Sequence, residues 1–372
     1  MAGPRDTEMP DAAMFHFFPR FSKDAADSPL GDALRQLAIP HRIFATSVSQ
    51  TYKYRLQLLL LGYPRLACSA LVVALKSMFG WRFAPATKSP SVSIISSDVE
   101  VLIFALVRAL PFAAKPRLVL EPFIFTRRNS ALANRARLAY YRFVMRRVSC
   151  GVCHSVMEVE RYRTMFAGCG TEFVFVPWGT YVPGTSEIFA NGVPPESRDG
   201  IPCVVTAGRS GRDYPTLVAA VAHLPCKLTI ICNELSALGG IMESPQVELL
   251  TDIFGADYLA RLYTADIVVV PLKVDDISAG QMVLIQAMAY ARPLVVTDTP
   301  TVSDYLINND TALLVPRGNA IAMQAAIKKL LDDPVAAAAM GQRALAKYVS
   351  YFSIEQHIKA LIAALTHTLK IS

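Results

Sequence analysis

Residues 263–300 read YTADIVVVPLKVDDISAGQMVLIQAMAYARPLVVTDTP. The run Ile267–Pro271 is an unbroken apolar stretch, too short for a helix and with no polar alternation. That is the pattern of a strand buried on both faces of a parallel sheet. Gly280–Tyr290 then carries apolar residues at helical spacing, and Pro293–Thr297 is a second buried strand. Strand, helix and strand in this order make a βαβ unit, because parallel neighbours need a long crossover between them.

The same alternation runs through the rest of the second half. Strands are predicted at Pro202–Ala207, Lys227–Cys232, Val247–Leu250 and Ala312–Val315. Helices are predicted at Tyr214–His223, Asp257–Thr264, Ala320–Leu331 and Pro334–Val349, with an amphipathic tail at Ser353–Leu369. Ligands of doubly wound sheets lie at the carboxyl ends of the strands. Two anion-binding constructions are expected there. Gly208-Arg209-Ser210-Gly211-Arg212 directly follows the strand Pro202–Ala207; its glycines let the backbone turn, and its two guanidiniums can fork phosphate oxygens. Ser278-Ala279-Gly280-Gln281 opens the helix Gly280–Tyr290, where small residues expose free N–H groups and the positive dipole end. Gln286 lies near the same opening and could bind ribose hydroxyls. A Ser N-cap alone would also explain Ser278. Together the two loops point to a nucleotide diphosphate.

The first half is built the same way. Strands are predicted at Met14–Phe18, Arg42–Thr46, Val92–Ser96, Arg117–Leu120 and Phe173–Val176. Helices are predicted at Leu30–Leu37, Asp98–Leu110 and Arg135–Arg147, and Tyr52–Phe83 is helical in pattern. Residues 186–200 are rich in Pro, Gly and Ser without a periodic run, which marks a linker. The expected organisation is therefore a first domain over 1–185, a linker over 186–200, a second domain over 201–352, and a C-terminal helix over 353–372 that packs back on the first domain.

The chain has 372 residues, 53% hydrophobic and 18% charged, which excludes disordered and collagenous classes. Its net charge of +7 is unevenly spread. Residues 1–150 hold 21 Lys+Arg against 9 Asp+Glu, a net of +12; the remainder holds 16 against 21, a net of −5. A basic half needs an acidic partner. Of nucleic acid, an anionic membrane surface and a phosphorylated substrate, nucleic acid fits least and is not expected, because no Lys-rich run, zinc-finger spacing or aromatic RNA-binding signature is present. Arginines set among apolar stretches suit an anionic membrane surface instead. Leu56–Gly80 and Val99–Ala114 are both interrupted by charge, so neither is expected to span a bilayer. The start, MAGPRDTEMPDAAMF, has acids where a signal peptide has a basic start and an apolar core. The expected location is cytoplasmic, peripheral on the inner face of the plasma membrane. Seven scattered cysteines fit a reduced compartment. Cys150-Gly151-Val152-Cys153-His154 matches a haem-attachment string but reads more simply as a buried strand leading into a helix near His154-Ser155.

At the residues CHSVMEVERYRTMF (153–166), VFVPWGT (174–180), VVTAGRSGRDYPTLVAAV (204–221) and the block from Tyr263 to Ala320, the chain resembles the retaining, nucleotide-sugar-dependent glycosyltransferases of group 1, family 4. The resemblance covers most of residues 145–355 and implies the α/β GT-B fold, two Rossmann-like domains facing a central cleft. It implies that Arg209 falls on the family's Gly-Arg arginine, and that Arg212 stands where the family usually has Lys. Both would bind the donor diphosphate and stabilise it as it leaves, alongside Gly208, Ala279, Gly280 and Gln281. The family's paired acids, seven residues apart, fall on Ser278 and Gln286. Gln286 can still hydrogen-bond a ribose, whereas Ser278 cannot supply a carboxylate to the donor sugar.

In the first half, Glu121 ends the strand Arg117–Leu120 and is the candidate for contacting the acceptor or its proton; pairing with a nearby arginine is the structural alternative. Arg127 and Arg128 are candidates for an acceptor diphosphate. No Asp-x-Asp string stands at a sheet edge, and Asp275-Asp276 reads as a solvated pair. No metal site, essential divalent ion or other cofactor is therefore expected. The function implied is transfer of a sugar, with retention, from a nucleotide diphosphate to a lipid-linked or growing glycan, in bacterial exopolysaccharide or lipopolysaccharide assembly. The alternatives are a catalytically silent scaffold for another transferase, motivated by the missing acids, and a nucleotide-sugar epimerase.

Overall fold

A computed structural model of the chain describes residues 13–18, 28–43, 67, 68, 70–72, 91–96, 98–108, 117–127, 130–186 and 200–370. The residues form two compact units. The first takes in residues up to Cys153, Val159–Val176 and Ile358 onward; the second takes in His154–Glu158 and Pro177–His357.

The first unit holds a six-stranded parallel sheet. Its strands are β1 (Met14–Phe18), β2 (His41–Ile43), β3 (Ser91–Ile95), β4 (Arg117–Leu120), β5 (Cys150–Cys153) and β6 (Glu172–Phe175), in the order β2-β1-β3-β4-β5-β6. Helices Asp98–Arg108 and Ala131–Met145 are among those packed on it. The core is aromatic: Phe123 lies edge-on to Tyr141, Tyr162 and Phe166 at centroid distances of 5.3, 4.8 and 5.6 Å. β5 carries the Cys-x-x-Cys pair as fully buried thiols that are not joined in a disulfide. Burial, with Glu172 and then Glu121 adding to it, pushes the Cys150 thiol up to about 12, so it stays a packed, uncharged group.

The second unit repeats the design with β7 (Cys203–Ala207), β8 (Lys227–Ile231), β9 (Val247–Leu250), β10 (Ile267–Val270), β11 (Leu294–Thr297) and β12 (Leu313–Val315). All pairings are parallel and the order is β12-β11-β10-β7-β8-β9. β10 reads Ile-Val-Val-Val and every residue is buried, because helices cover both faces. The chain runs outward from β7 through β8 to β9, then returns to the other side of β7 to begin β10. The carboxyl ends of β7 and β10 therefore form the topological switch point, where open α/β sheets hold their ligands.

Among the described residues the predicted strands and helices have the expected type, and most boundaries agree within two residues. Two short helices, Leu235–Leu238 and Pro300–Ser303, were not anticipated. The crossing into the second unit falls at Val176–Pro177, before the expected domain end at 185. The expected linker over 186–200 lies almost wholly outside the described residues, as does most of Tyr52–Phe83. Among the described residues no helix is long and apolar enough to cross a membrane.

Candidate functional site

The two loops that leave the switch point are stitched together. Arg212 bridges Leu272, the Asp213 N–H donates to the Pro271 carbonyl at 3.0 Å, and the Lys273 N–H donates to the Gly211 carbonyl at 2.9 Å. The two segments singled out from sequence thus form one surface at the ends of β7 and β10. Glycine is required where they turn. Gly208 has φ +102° and a Cβ there would lie 2.5 Å from the Arg212 guanidinium. Gly280 has φ +94°, and its Cβ would meet Val270 at 2.8 Å.

Arg212 is the centre of this surface. Its residue is 4% exposed. Its Nε donates to the Ala207 carbonyl at 2.8 Å and its Nη1 to the Ser210 carbonyl at 2.9 Å. The expectation of a free fork for phosphate is corrected here: two of its nitrogens hold the loop that carries it. Burial pulls its pKa down, against a smaller opposing effect of the Tyr214, Tyr258 and Cys232 side chains, and among the described residues no carboxylate forms an ion pair with it. A buried cation without an ionised partner is costly, and an anion at the crevice would supply the missing counter-charge. Arg209, by contrast, is exposed and able to reach outward.

Ser278 does not cap the following helix. Gly280 is the N-cap of Gln281–Ala289 and, being glycine, has no side chain with which to cap it. The first N–H groups of the helix are left for an anion, and the dipole favours one. The Ser278 N–H and hydroxyl donate to Oε1 and Oε2 of Glu158 at 2.8 and 2.6 Å. Ala279 is buried in the core. The Gln281 side chain is also buried and donates to the Thr301 carbonyl at 3.2 Å, so only its backbone can serve a ligand. Gln286 accepts from the Tyr258 hydroxyl at 2.8 Å, and burial pushes that phenol's pKa up. Asp275 pairs with Arg317 at 2.7 Å, both half exposed.

In the first unit Glu121 is buried at the end of β4, and its N–H donates to the Ile95 carbonyl at 2.9 Å. Arg127 is exposed; Arg128 lies outside the described residues. Ser155 is buried and its hydroxyl accepts the Glu158 N–H at 3.1 Å, the bond of a helix cap rather than of a nucleophile. Among the described residues no group of three or more His, Cys, Asp or Glu side chains is placed to hold a metal ion.

Sequence reasoning missed Glu158 and Tyr258. Ser155-x-x-Glu158 has the spacing of a capping box, which accounts for the acid locally and hides its bonds to a loop 120 residues away.

Residues 200–333 match the family model Glycosyl transferases group 1. No curated protein matches the chain. Among solved structures, a sucrose-phosphate synthase from Thermosynechococcus elongatus is similar, with a TM-score of 0.64 at 18% identity over 95% of this chain and 99% of that one. A UDP-forming α,α-trehalose-phosphate synthase from Burkholderia vietnamiensis gives 0.63 at 12% identity, over 96% and 100% of the two chains. The Anabaena protein HepE, in complex with UDP-glucose, gives 0.61 at 14% identity, over 95% and 99%.

Proposed function

We propose, on the premise that the chain has the GT-B fold and carries a group 1 glycosyl transferase domain over residues 200–333, that it moves a sugar from a nucleotide diphosphate to a lipid-linked or growing glycan, with retention of configuration. The observation that carries this reading is Arg212, a guanidinium buried at the switch point of the second sheet, bonded to two carbonyls and paired with no carboxylate among the described residues. HepE, of like fold, was solved with UDP-glucose.

Breaking a glycosyl–phosphate bond builds negative charge on the departing diphosphate. In this reading Arg209 contacts it directly. Arg212 holds charge beneath the loop, and the uncapped helix start at Gly280 presents N–H groups. Charges and dipoles fixed in advance around a leaving group usually contribute more to enzymatic rate than any other single effect. The chain's own cations and dipole take the part a divalent ion plays elsewhere, so transfer should persist without added metal. Gln286 is assigned to the ribose through its free amide end. Glu121, Arg127 and Arg128 are assigned to the acceptor.

The acceptor's membrane setting is supported by the helix Ala131–Met145. Residues 122–157 contain seven arginines and no Asp or Glu. Leu132, Arg135, Ala139, Arg142 and Arg146 are all exposed and fall within about 80° of arc at 3.6 residues per turn. That stripe suits the inner leaflet of a bacterial membrane, where exopolysaccharide or lipopolysaccharide is assembled.

A second reading has one observation in its favour. Ser278 and Gln286 are both engaged within the protein, by Glu158 and Tyr258, as they would be in a silent scaffold that binds a donor without using it. Thermal unfolding of the purified chain with UDP-, GDP-, ADP- and CMP-sugars, with and without EDTA, separates these. A donor at a hundred times its Kd should stabilise by about 2.7 kcal/mol, with or without EDTA, and Arg209→Ala should abolish the effect. Stabilisation by no sugar nucleotide would sink the transferase reading; binding without transfer to membrane extract would favour the scaffold.

A further inference from the structure

Within the second unit the short segment His154–Glu158 is held at several points. The His154 carbonyl accepts from the Tyr305 hydroxyl at 2.7 Å, and the Val156 N–H donates to Asp304 at 3.0 Å. Glu158 completes the set by taking both donors of Ser278. Its side chain is fully buried, in the first turn of the helix Val156–Met165, where the helix dipole favours an acid.

Ser278 sits two residues before Gly280, which opens the helix proposed to face the diphosphate. The loop after β10 is pinned at its other end by Lys273 on Gly211. Residues 273–278 are thus clamped at both ends, once to the arginine loop and once to Glu158. A buried carboxylate taking two hydrogen bonds from a single residue is a demanding arrangement. Charge-assisted bonds of this kind fix geometry more firmly than neutral ones, and in the turn Ser278-Ala279-Gly280 they add to the packing of Ala279 in the core.

We propose that Glu158 is a positioning residue of this crevice: its carboxylate, gripped by the Ser278 N–H and hydroxyl, sets the turn that aims the first N–H groups of the helix Gln281–Ala289 at the ligand. The inference rests on the nucleotide-diphosphate reading above. It predicts that the hydroxyl of Ser278 and the carboxylate of Glu158 act as one unit rather than separately.

The test uses the full-length protein with UDP as probe, and compares wild type with Glu158→Ala, Ser278→Ala and the double variant Glu158→Ala/Ser278→Ala. Glu158→Ala should weaken UDP binding by about tenfold or more, and Ser278→Ala, which loses only the hydroxyl arm, by about threefold. The double variant should bind UDP no more weakly than Glu158→Ala, because the hydroxyl acts only through the carboxylate. Two independent structural losses would add instead. Amide hydrogen exchange in ligand-free protein is the second readout. Exchange over residues 274–282 should quicken in Glu158→Ala and no further in the double variant, while β10 stays protected. It also covers the case in which Glu158→Ala folds poorly, since Ser278→Ala alone should quicken the same peptide. Unchanged exchange there, or losses of UDP affinity that add in the double variant, overturn the proposal. Wild-type protein that binds no nucleotide while its loop still loosens would overturn the donor reading and with it the aim assigned to Glu158, leaving a plain clamp. That result differs from one in which UDP binds equally to all variants, which overturns the positioning role alone.

Discussion

Arg212 has one task the structure shows and one that is proposed. Its bonds to the Ala207 and Ser210 carbonyls shape the turn after β7, while among the described residues no acid forms an ion pair with its charge, which is the one assigned to a diphosphate. Replacing it therefore has two opposed effects on the empty protein. Arg212→Met leaves two carbonyls without a donor, at about 1–3 kcal/mol for a buried group, but also removes a desolvated cation. The ligand-free variant should lie within about 2 kcal/mol of wild type in urea unfolding, because the two effects offset. The added stability given by saturating UDP should vanish. If the variant keeps the UDP increment, the guanidinium is a structural strut and not the counter-charge of a diphosphate. The sequence pointed to this arginine through its place in a glycine turn. It could not tell that Arg212 points inward and Arg209 outward, since that depends on Gly208 leaving room for the guanidinium.

At the scale of elements, the buried strands were the most legible part. β10 and β11 are runs of Val, Ile and Leu bounded by Pro, Asp and Thr, and such runs have few other stable fates in a chain of this apolarity. Pro300–Ser303 was missed because four residues carry no period to read. The helix Ala131–Met145 was legible as basic, but its exposed stripe is a property of the fold. Tyr141, Val144 and Met145 turn inward, and that leaves Arg135, Arg142 and Arg146 together on the outside. Each arginine near an anionic surface contributes about 1 kcal/mol. The protein should float with phosphatidylglycerol-containing liposomes at low ionic strength and release as salt shortens the Debye length. Changing the three arginines to Gln should lower partitioning by roughly a hundredfold, from about 3 kcal/mol. Equal flotation of the triple variant would place any membrane contact elsewhere.

On the scale of the whole molecule, the two units are not two consecutive lengths of chain. The backbone passes between them at Cys153–His154, Glu158–Val159, Val176–Pro177 and His357–Ile358. Reading for composition finds the Pro- and Gly-rich stretch near residue 190 and places a border there. It has no means of seeing that five residues near 156 have left the unit around them, because their departure is written in Asp304, Tyr305 and Ser278. This has a consequence for dissection. A fragment spanning residues 177–357 keeps all six strands of the second sheet and both loops of the switch point. It lacks Glu158 and the His154 carbonyl, so Ser278 loses both acceptor oxygens and the Tyr305 hydroxyl loses the buried carbonyl it donates to. The Tyr305 hydroxyl keeps the Trp178 N–H it accepts, and each hydrogen bond exchanged for one to water costs about 0.5–1.5 kcal/mol, so the three together are a sizeable share of a domain's margin. The fragment should melt well below the second unit of the intact chain and, on the proposed donor reading, bind UDP at least tenfold more weakly. Adding residues 154–158 back through a short Gly/Ser linker to Pro177 should recover both. If the bare fragment matches the full chain in melting and in UDP affinity, the segment 154–158 is carried along by the fold and is no working part of the site.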